Sequence, residues 1–323
     1  MYMFPYFFPD RLPVIAFAGI LFTFAATCIL ISKCAGFLPK DQGRDFAVDG
    51  KKSAGKPRGA GIIFVLVFAV CTLLFSDISL ELCIYLILTV IEMLTGFFDD
   101  TAEKPWGEWK KGILDLLVAV AISATYIHYN GCGITFFGMN FTLHPAVFMI
   151  CAIILVWVSI NVTNCADGVD GLSGTLTIVT LTTIYLIGKL LNTGNDLHFS
   201  ILLFIACILG YLWYNATPSR LLMGDAGSRA MGVFISIAIL KTGSPFLYIP
   251  AAFILIVDGG LGLLKVSLIR VFKIHILKNT LTPLHDHVRK KKGWSNTQTV
   301  FRFAILQIVI SAATIYGLQL VLH

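Results

Sequence analysis

The chain has 323 residues, of which 57% are hydrophobic and 13% charged, and its mean hydropathy is +0.84. Soluble domains carry about a quarter of their residues as charged side chains, so the composition excludes an ordinary soluble protein and points to a polytopic membrane protein. The formal net charge of +6 comes without a patch of interleaved basic and aromatic residues. That argues against a nucleic-acid partner and leaves membrane lipids and phosphorylated substrates as natural ones.

A spanning helix needs ~20 mainly apolar residues. Ten segments qualify in chain order, at residues 14–33, 59–75, 79–98, 112–129, 146–162, 172–191, 199–214, 229–242, 246–268 and 300–321. The expected fold is all-α, with about ten transmembrane helices in a single integral membrane domain over residues 1–323. Met1 to Asp10 is aromatic and lacks the basic region and cleavage site of a signal peptide, so the first span is expected to stay as an anchor. Between the fourth and fifth spans, Gly131 to Leu143 alternates around Gly138, which predicts a small hairpin. The ninth span carries Asp258-Gly259-Gly260 and then Lys265; the Gly pair predicts a bend or break there.

Lys and Arg accumulate in cytoplasmic loops. Of the 24 basic residues, all except Arg11, Lys189 and Lys241 lie in the loops after odd-numbered spans or in the span ends that border those loops. Both termini and the hairpin are therefore expected on the outer, periplasmic side, with the loops after odd-numbered spans in the cytoplasm. The eight cysteines are scattered without a C-x-x-C pair, so they read as small apolar packing residues rather than disulfides or a zinc site.

The polar clusters obey the same parity. Asp99-Asp100 ends the third span, and Asn161-Val162-Thr163-Asn164-Cys165-Ala166-Asp167-Gly168-Val169-Asp170-Gly171-Leu172 ends the fifth. Asn215 and Met223-Gly224-Asp225-Ala226-Gly227-Ser228 follow the seventh, and Pro283-Leu284-His285-Asp286-His287 with Lys292-Gly293-Trp294 follows the ninth. An ionised group in hydrocarbon costs at least ~2.5 kcal/mol, so carboxylates at span ends mark protein, metal or water. One site at the cytoplasmic face accounts for all of them. Mg2+ takes oxygen ligands, often one or two carboxylates completed by water and substrate phosphates. Asp99, Asp100, Asp167, Asp170 and Asp225 exceed that need, and His285, His287 and the nearby Lys residues can donate to phosphate. Taken singly, Asn161 and Asn164 could cap the next helix, Gly224-Asp225 could be a turn, and Glu92 or Asp258 could be a satisfied interhelical contact. Together they suggest phosphoryl transfer at a membrane boundary.

These blocks resemble the polyprenyl-phosphate N-acetylhexosamine-1-phosphate transferases, and within them the MraY-type phospho-N-acetylmuramoyl-pentapeptide transferases. The resemblance covers nearly the whole chain. It implies a multi-pass enzyme of the bacterial inner membrane that moves phospho-N-acetylmuramoyl-pentapeptide from its UDP-linked donor to undecaprenyl phosphate, giving lipid I and UMP for peptidoglycan. It also implies Mg2+ as cofactor, and it allows a homodimer. By the same resemblance, Asp225 is the main metal ligand with Asp170 as a second, and Asp99 and Asp100 are acceptor-side carboxylates, Asp99 assisting deprotonation of the lipid phosphate. Asn161, Asn164, Asp167, Asp170 and Asn215 serve the nucleotide-sugar pocket, and Lys111, His285 and His287 hold phosphate or sugar groups. The sequence departs from the family at His285-Asp286-His287, where three His are usual, and at Asp99-Asp100-Thr101-Ala102-Glu103-Lys104, where Lys stands one place late. It departs again at Gly55-Lys56-Pro57-Arg58-Gly59-Ala60-Gly61, where Gly-Thr-Pro-Thr-Met-Gly-Gly is usual, and at Lys265, where Gln is usual. The alternative is a sister enzyme transferring N-acetylglucosamine-1-phosphate. A transporter fits less well, because no internal repeat is visible and the carboxylates gather at one boundary rather than the midplane.

Overall fold

The computed structural model describes residues 12–43, 53–102, 104, 106–193, 197–274, 276–277 and 279–322. The aromatic Met1–Asp10 stretch, both chain ends and Glu103 lie outside them. The helices are α1 (Leu12–Cys34), α2 (Gly61–Phe75), α3 (Leu80–Thr101), α4 (Glu108–Asn130), α5 (Pro145–Cys165), α6 (Leu172–Leu190), α7 (His198–Asn215) and α8 (Gly224–Lys241). A bent pair follows, α9 (Pro245–Ala251) and α10 (Phe253–Arg270), then α11 (Leu284–Lys292) and α12 (Asn296–Leu322).

Among the described residues, seven helices are long and apolar enough to cross a membrane, or eight if the bent pair counts as one span. Two of the ten expected segments fall short for visible reasons. Helix α2 has only 15 residues, and α8 carries Asp225, Arg229 and Lys241. Those charges are tolerated because α8 is the central post of the bundle, buried continuously from Ala226 to Leu240 and packed against α2, α3, α5 and α6. A helix apolar on every side belongs inside the protein.

Small residues set how closely the neighbours approach α8. A Cβ on Gly96 of α3 would lie 2.5 Å from the carbonyl carbon and oxygen of Asp225, and a Cβ on Gly232 would lie 2.5 Å from the Ser159 carbonyl oxygen of α5. Gly61 of α2 meets the backbone of Gly227 in the same way. At mid-bundle Phe68 (α2), Phe204 (α7) and Phe234 (α8) form a triangle with ring centroids 4.5 to 4.9 Å apart. Such aromatic pairs contribute about 0.5–1.5 kcal/mol each beyond their buried area.

The hairpin forms, with β1 (Gly133–Phe136) antiparallel to β2 (Met139–Thr142). Phe137 and Gly138 both have positive φ, 44° and 79°, as a two-residue turn matched to strand twist requires. The ninth segment breaks by 74°, but at Ala252 rather than at Gly259-Gly260. The break is held by Gln307 of α12. Its carbonyl accepts from Ile254 N at 2.8 Å, and its amide donates to the Pro250 and Ala251 carbonyls at 3.0 Å. Backbone groups freed by the break are thus satisfied inside the protein, as a membrane interior demands. The Gly pair instead lies in a π-helical turn, Ile256–Gly260.

Candidate active site

Helix α8 starts where the backbone of residues 219–223 runs beside the loop that enters α2. Leu222 N donates to Pro57 O at 2.8 Å, Ala60 N to Leu222 O at 3.0 Å, and Gly61 N to Met223 O at 3.0 Å. Gly224, at φ 68°, turns the chain so that Asp225 falls in the first helical turn, where the helix dipole favours a carboxylate. Asp100, from the end of α3, caps this turn by accepting from Asp225 N at 2.7 Å.

The other oxygen of Asp100 accepts from Arg58 Nη2 at 2.6 Å, and the same nitrogen stands 3.5 Å from Asp225 Oδ1. Arg58 Nη1 reaches Asp41 Oδ1 at 3.0 Å. One guanidinium therefore spans three carboxylates from three segments, while its Nε is buried with no hydrogen-bond partner among the described residues. Burial opposes the Arg58 charge, but Asp100 and Asp225 outweigh it and hold the group above its ordinary pKa. Burial likewise pushes the Asp41 carboxyl up, but the Ser53 hydroxyl and Arg58 outweigh it and keep it below the usual carboxylate range. On the far side of Asp225, Asn164 Nδ2 lies 3.5 Å from Oδ2, at the outer limit of a hydrogen bond. Asn164 is held in turn by the Ser228 hydroxyl at 2.8 Å.

Asp99 points elsewhere. It accepts from Trp106 N at 2.8 Å and pairs with Lys111 Nζ at 2.5 Å, so the two adjacent aspartates serve different partners. Asp170 accepts from Ser219 N at 3.1 Å, and Ser219 Oγ also receives Lys56 Nζ at 2.9 Å. Asn215 is buried, with its amide spent on Gly171 N (2.8 Å) and Leu221 O (2.9 Å). It fastens the Asp170 turn to the segment leading into Asp225. Asp167 lies half-buried in the turn after α5, its backbone N donating to Asn164 O at 3.1 Å.

His285 is buried. Its Nδ1 sits 2.8 Å from Asp258 Oδ2, and its backbone N donates to Asp258 Oδ1 at 2.7 Å. The Nε2 edge faces Gly168, where any side chain would strike the ring. Asp258 thus aims His285 at the turn between Asp167 and Asp170, the geometry by which a carboxylate fixes an imidazole. His287 Nδ1 accepts from Leu281 N at 3.2 Å, and Lys265 donates to the Leu277 and Thr280 carbonyls at 3.2 and 2.9 Å.

Asn161 turns away from this group. Its amide donates to Trp157 O and, at 3.2 Å, to Asp115 Oδ2. Asp115 and Glu92 both bind Arg229, one helical turn beyond Asp225; the Glu92 contact is 2.8 Å. All three charged side chains are at most 3% exposed. This buried triad links α3, α4 and α8, the helices that carry Asp99, Asp100, Lys111 and Asp225, and Asn161 ties in α5.

Sequence reasoning passed over Arg58, Asp41, Asp115 and Arg229, and left Asp258 as a plain interhelical contact. Position 258 carried a signal, being a carboxylate inside an apolar span. Arg58 carried one as well, standing where the family usually has Thr, but its partners come from segments 17 and 42 residues away.

The donor set fits a hard cation that draws its remaining ligands from water and phosphate. Asp100 and Asp225 approach a common guanidinium, whereas no cluster of three or more His, Cys, Asp or Glu forms a ready-made cage among the described residues. One or two carboxylates are what a Mg2+ ion commonly takes from a protein, with water and phosphate supplying its other ligands.

A family model described as glycosyl transferase family 4 matches residues 82–243, the stretch holding Asp99, Asp100, Asn164, Asp170 and Asp225. The phospho-N-acetylmuramoyl-pentapeptide-transferase of Treponema pallidum (strain Nichols) is 39% identical, covering 95% of this chain and 91% of its own. Proteins of the same name from Thermoanaerobacter sp. (strain X514) and Leptospira biflexa serovar Patoc (strain Patoc 1 / Ames) are 29% and 28% identical. They cover 86% and 84% of this chain, and 90% and 84% of their own. With identity sustained from end to end and the family model centred on the clustered carboxylates, the chain belongs to glycosyl transferase family 4, in its phospho-N-acetylmuramoyl-pentapeptide transferase branch.

Proposed function

We propose that the chain transfers phospho-N-acetylmuramoyl-pentapeptide from its UDP-linked donor to undecaprenyl phosphate, releasing UMP and forming lipid I in the bacterial inner membrane. The observation that carries this reading is the convergence of Asp100, Asp225 and Asn164 from three separate segments onto one point, in a chain 39% identical to a transferase of that name. Counting the bent pair as one crossing and adding α2 and α8 gives ten crossings in one domain. Odd-numbered spans then end at the cytoplasmic face with the site, and the hairpin and both termini lie outside.

Mg2+ would be held by Asp225, with Asp100 or Asp170 adjacent, and would neutralise the donor pyrophosphate and the leaving UMP. Phosphoryl transfer needs alignment and charge compensation more than a protein nucleophile, so the acceptor phosphate attacks the sugar-linked phosphorus directly. Asp99, oriented by Lys111 and the Trp106 amide, stands on the acceptor side and takes its proton. His285, aimed by Asp258, and the Asp167–Asp170 turn hold the nucleotide-sugar end.

Purified protein with Mg2+, undecaprenyl phosphate and either UDP-N-acetylmuramoyl-pentapeptide or UDP-N-acetylglucosamine tests the assignment by UMP release. UMP is expected with the pentapeptide donor. Release with only the N-acetylglucosamine donor would move the chain to the sister activity.

A further inference from the structure

We infer that Arg58 is a built-in competitor of the divalent cation, a residue that sets how tightly the Asp100–Asp225 pair holds metal; this rests on the metal-dependent reading above. Three observations lead there. The Arg58 guanidinium already occupies the position a cation would seek, with Nη2 at 2.6 Å from Asp100 and 3.5 Å from Asp225. Its hold does not depend on those two groups alone, because Nη1 is anchored on Asp41 at 3.0 Å, and Asp41 is braced by Ser53 Oγ at 2.6 Å and Gly43 N at 3.2 Å. Finally, Arg58 Nε is buried without a hydrogen-bond partner among the described residues, so the hydrogen bonds described there do not fully settle the guanidinium.

Like charges a few ångströms apart repel strongly where water is partly excluded. A divalent ion at Asp225 must therefore either displace the guanidinium from the carboxylates or bind beside it, and both lower its affinity. The loop itself does not need the Arg58 side chain. It is fixed by backbone hydrogen bonds from Arg58 N to Pro39 O (2.8 Å), Asp41 N to Lys56 O (2.9 Å) and Leu222 N to Pro57 O (2.8 Å). Changing the side chain should alter charge without moving the loop.

The test is Mn2+ binding to the full chain in detergent, without nucleotide, followed by the loss of the free-ion paramagnetic resonance signal. Arg58→Gln should bind Mn2+ at least ten-fold tighter than the parent, Arg58→Lys should stay within about three-fold of it, and Asp225→Asn should abolish binding in either background. An Arg58→Gln affinity equal to or weaker than the parent, with Asp225 still required, would overturn the competitor role and leave the metal site standing. The competitor role falls equally if Arg58→Gln raises only the donor KM, since Arg58 would then be a substrate ligand. Absence of any Asp225-dependent Mn2+ binding would overturn the metal reading, and this inference with it. A misfolded Arg58→Gln protein would contradict the backbone-held loop, and Arg58→Met then supplies the uncharged comparison.

Discussion

Asp225→Asn is expected to lower UMP release by about 10³-fold or more, the scale of a lost several-kcal/mol charge-stabilising contact in phosphoryl transfer. The substitution is nearly isosteric, and the helix cap survives it because Asp100 binds the backbone N of residue 225 rather than its side chain. Melting temperature in detergent should therefore stay close to the parent while kcat collapses. Asp100→Asn should behave differently, since it weakens both the Arg58 pair and the cap on α8, and stability should fall along with activity. Steady-state rates paired with thermal melts separate the two. Near-normal turnover in Asp225→Asn would remove that carboxylate from the site.

Arg229→Met should destabilise the protein by about 3–5 kcal/mol, because it leaves Glu92 and Asp115 as buried carboxylates without their cation. The volume is nearly conserved, so the cost comes from charge and not from a cavity. Removing all three charges together, as Glu92→Met, Asp115→Leu and Arg229→Met, should recover most of that loss, since well-packed apolar replacements of buried ion groups are often neutral or stabilising. Thermal or chemical denaturation in detergent reads both variants. Parent-like stability in Arg229→Met alone would mean that the triad does not hold α3, α4 and α8 together.

The positions of these groups differ in how far the chain itself announces them. Span parity, read from the distribution of Lys and Arg, leads to the expectation that Asp100, Asn164 and Asp225 share one face, and in the structure the three meet. The hairpin was legible from alternation around Gly138. The bundle interior was not. Arg229 stands in a segment that reads as a span, and only the packing of α3 and α4 around α8 supplies the Glu92 and Asp115 that make its burial tolerable. Asn161, one turn before Asn164 in the same motif, looks equivalent in sequence, yet helical geometry turns its amide to Asp115. The break at Ala252 depends on Gln307, 55 residues onward, so no local pattern could place it. Arg58 is the extreme case. In sequence its loop departs from the family's usual motif without naming a partner, and the backbone pairing of residues 57–61 with 222–223 carries it to Asp100 and Asp225.

Transfer of a phosphosugar onto a polyprenyl phosphate, through a site centred on Asp225, leaves a lipid product that mass spectrometry can identify. The reaction needs only purified protein, Mg2+, undecaprenyl phosphate and UDP-N-acetylmuramoyl-pentapeptide. Undecaprenyl-pyrophosphoryl-N-acetylmuramoyl-pentapeptide should appear in amounts equal to the UMP released, and none should form with Asp225→Asn. UMP released without that lipid, or the same lipid formed at an undiminished rate by Asp225→Asn, would contradict the proposed function.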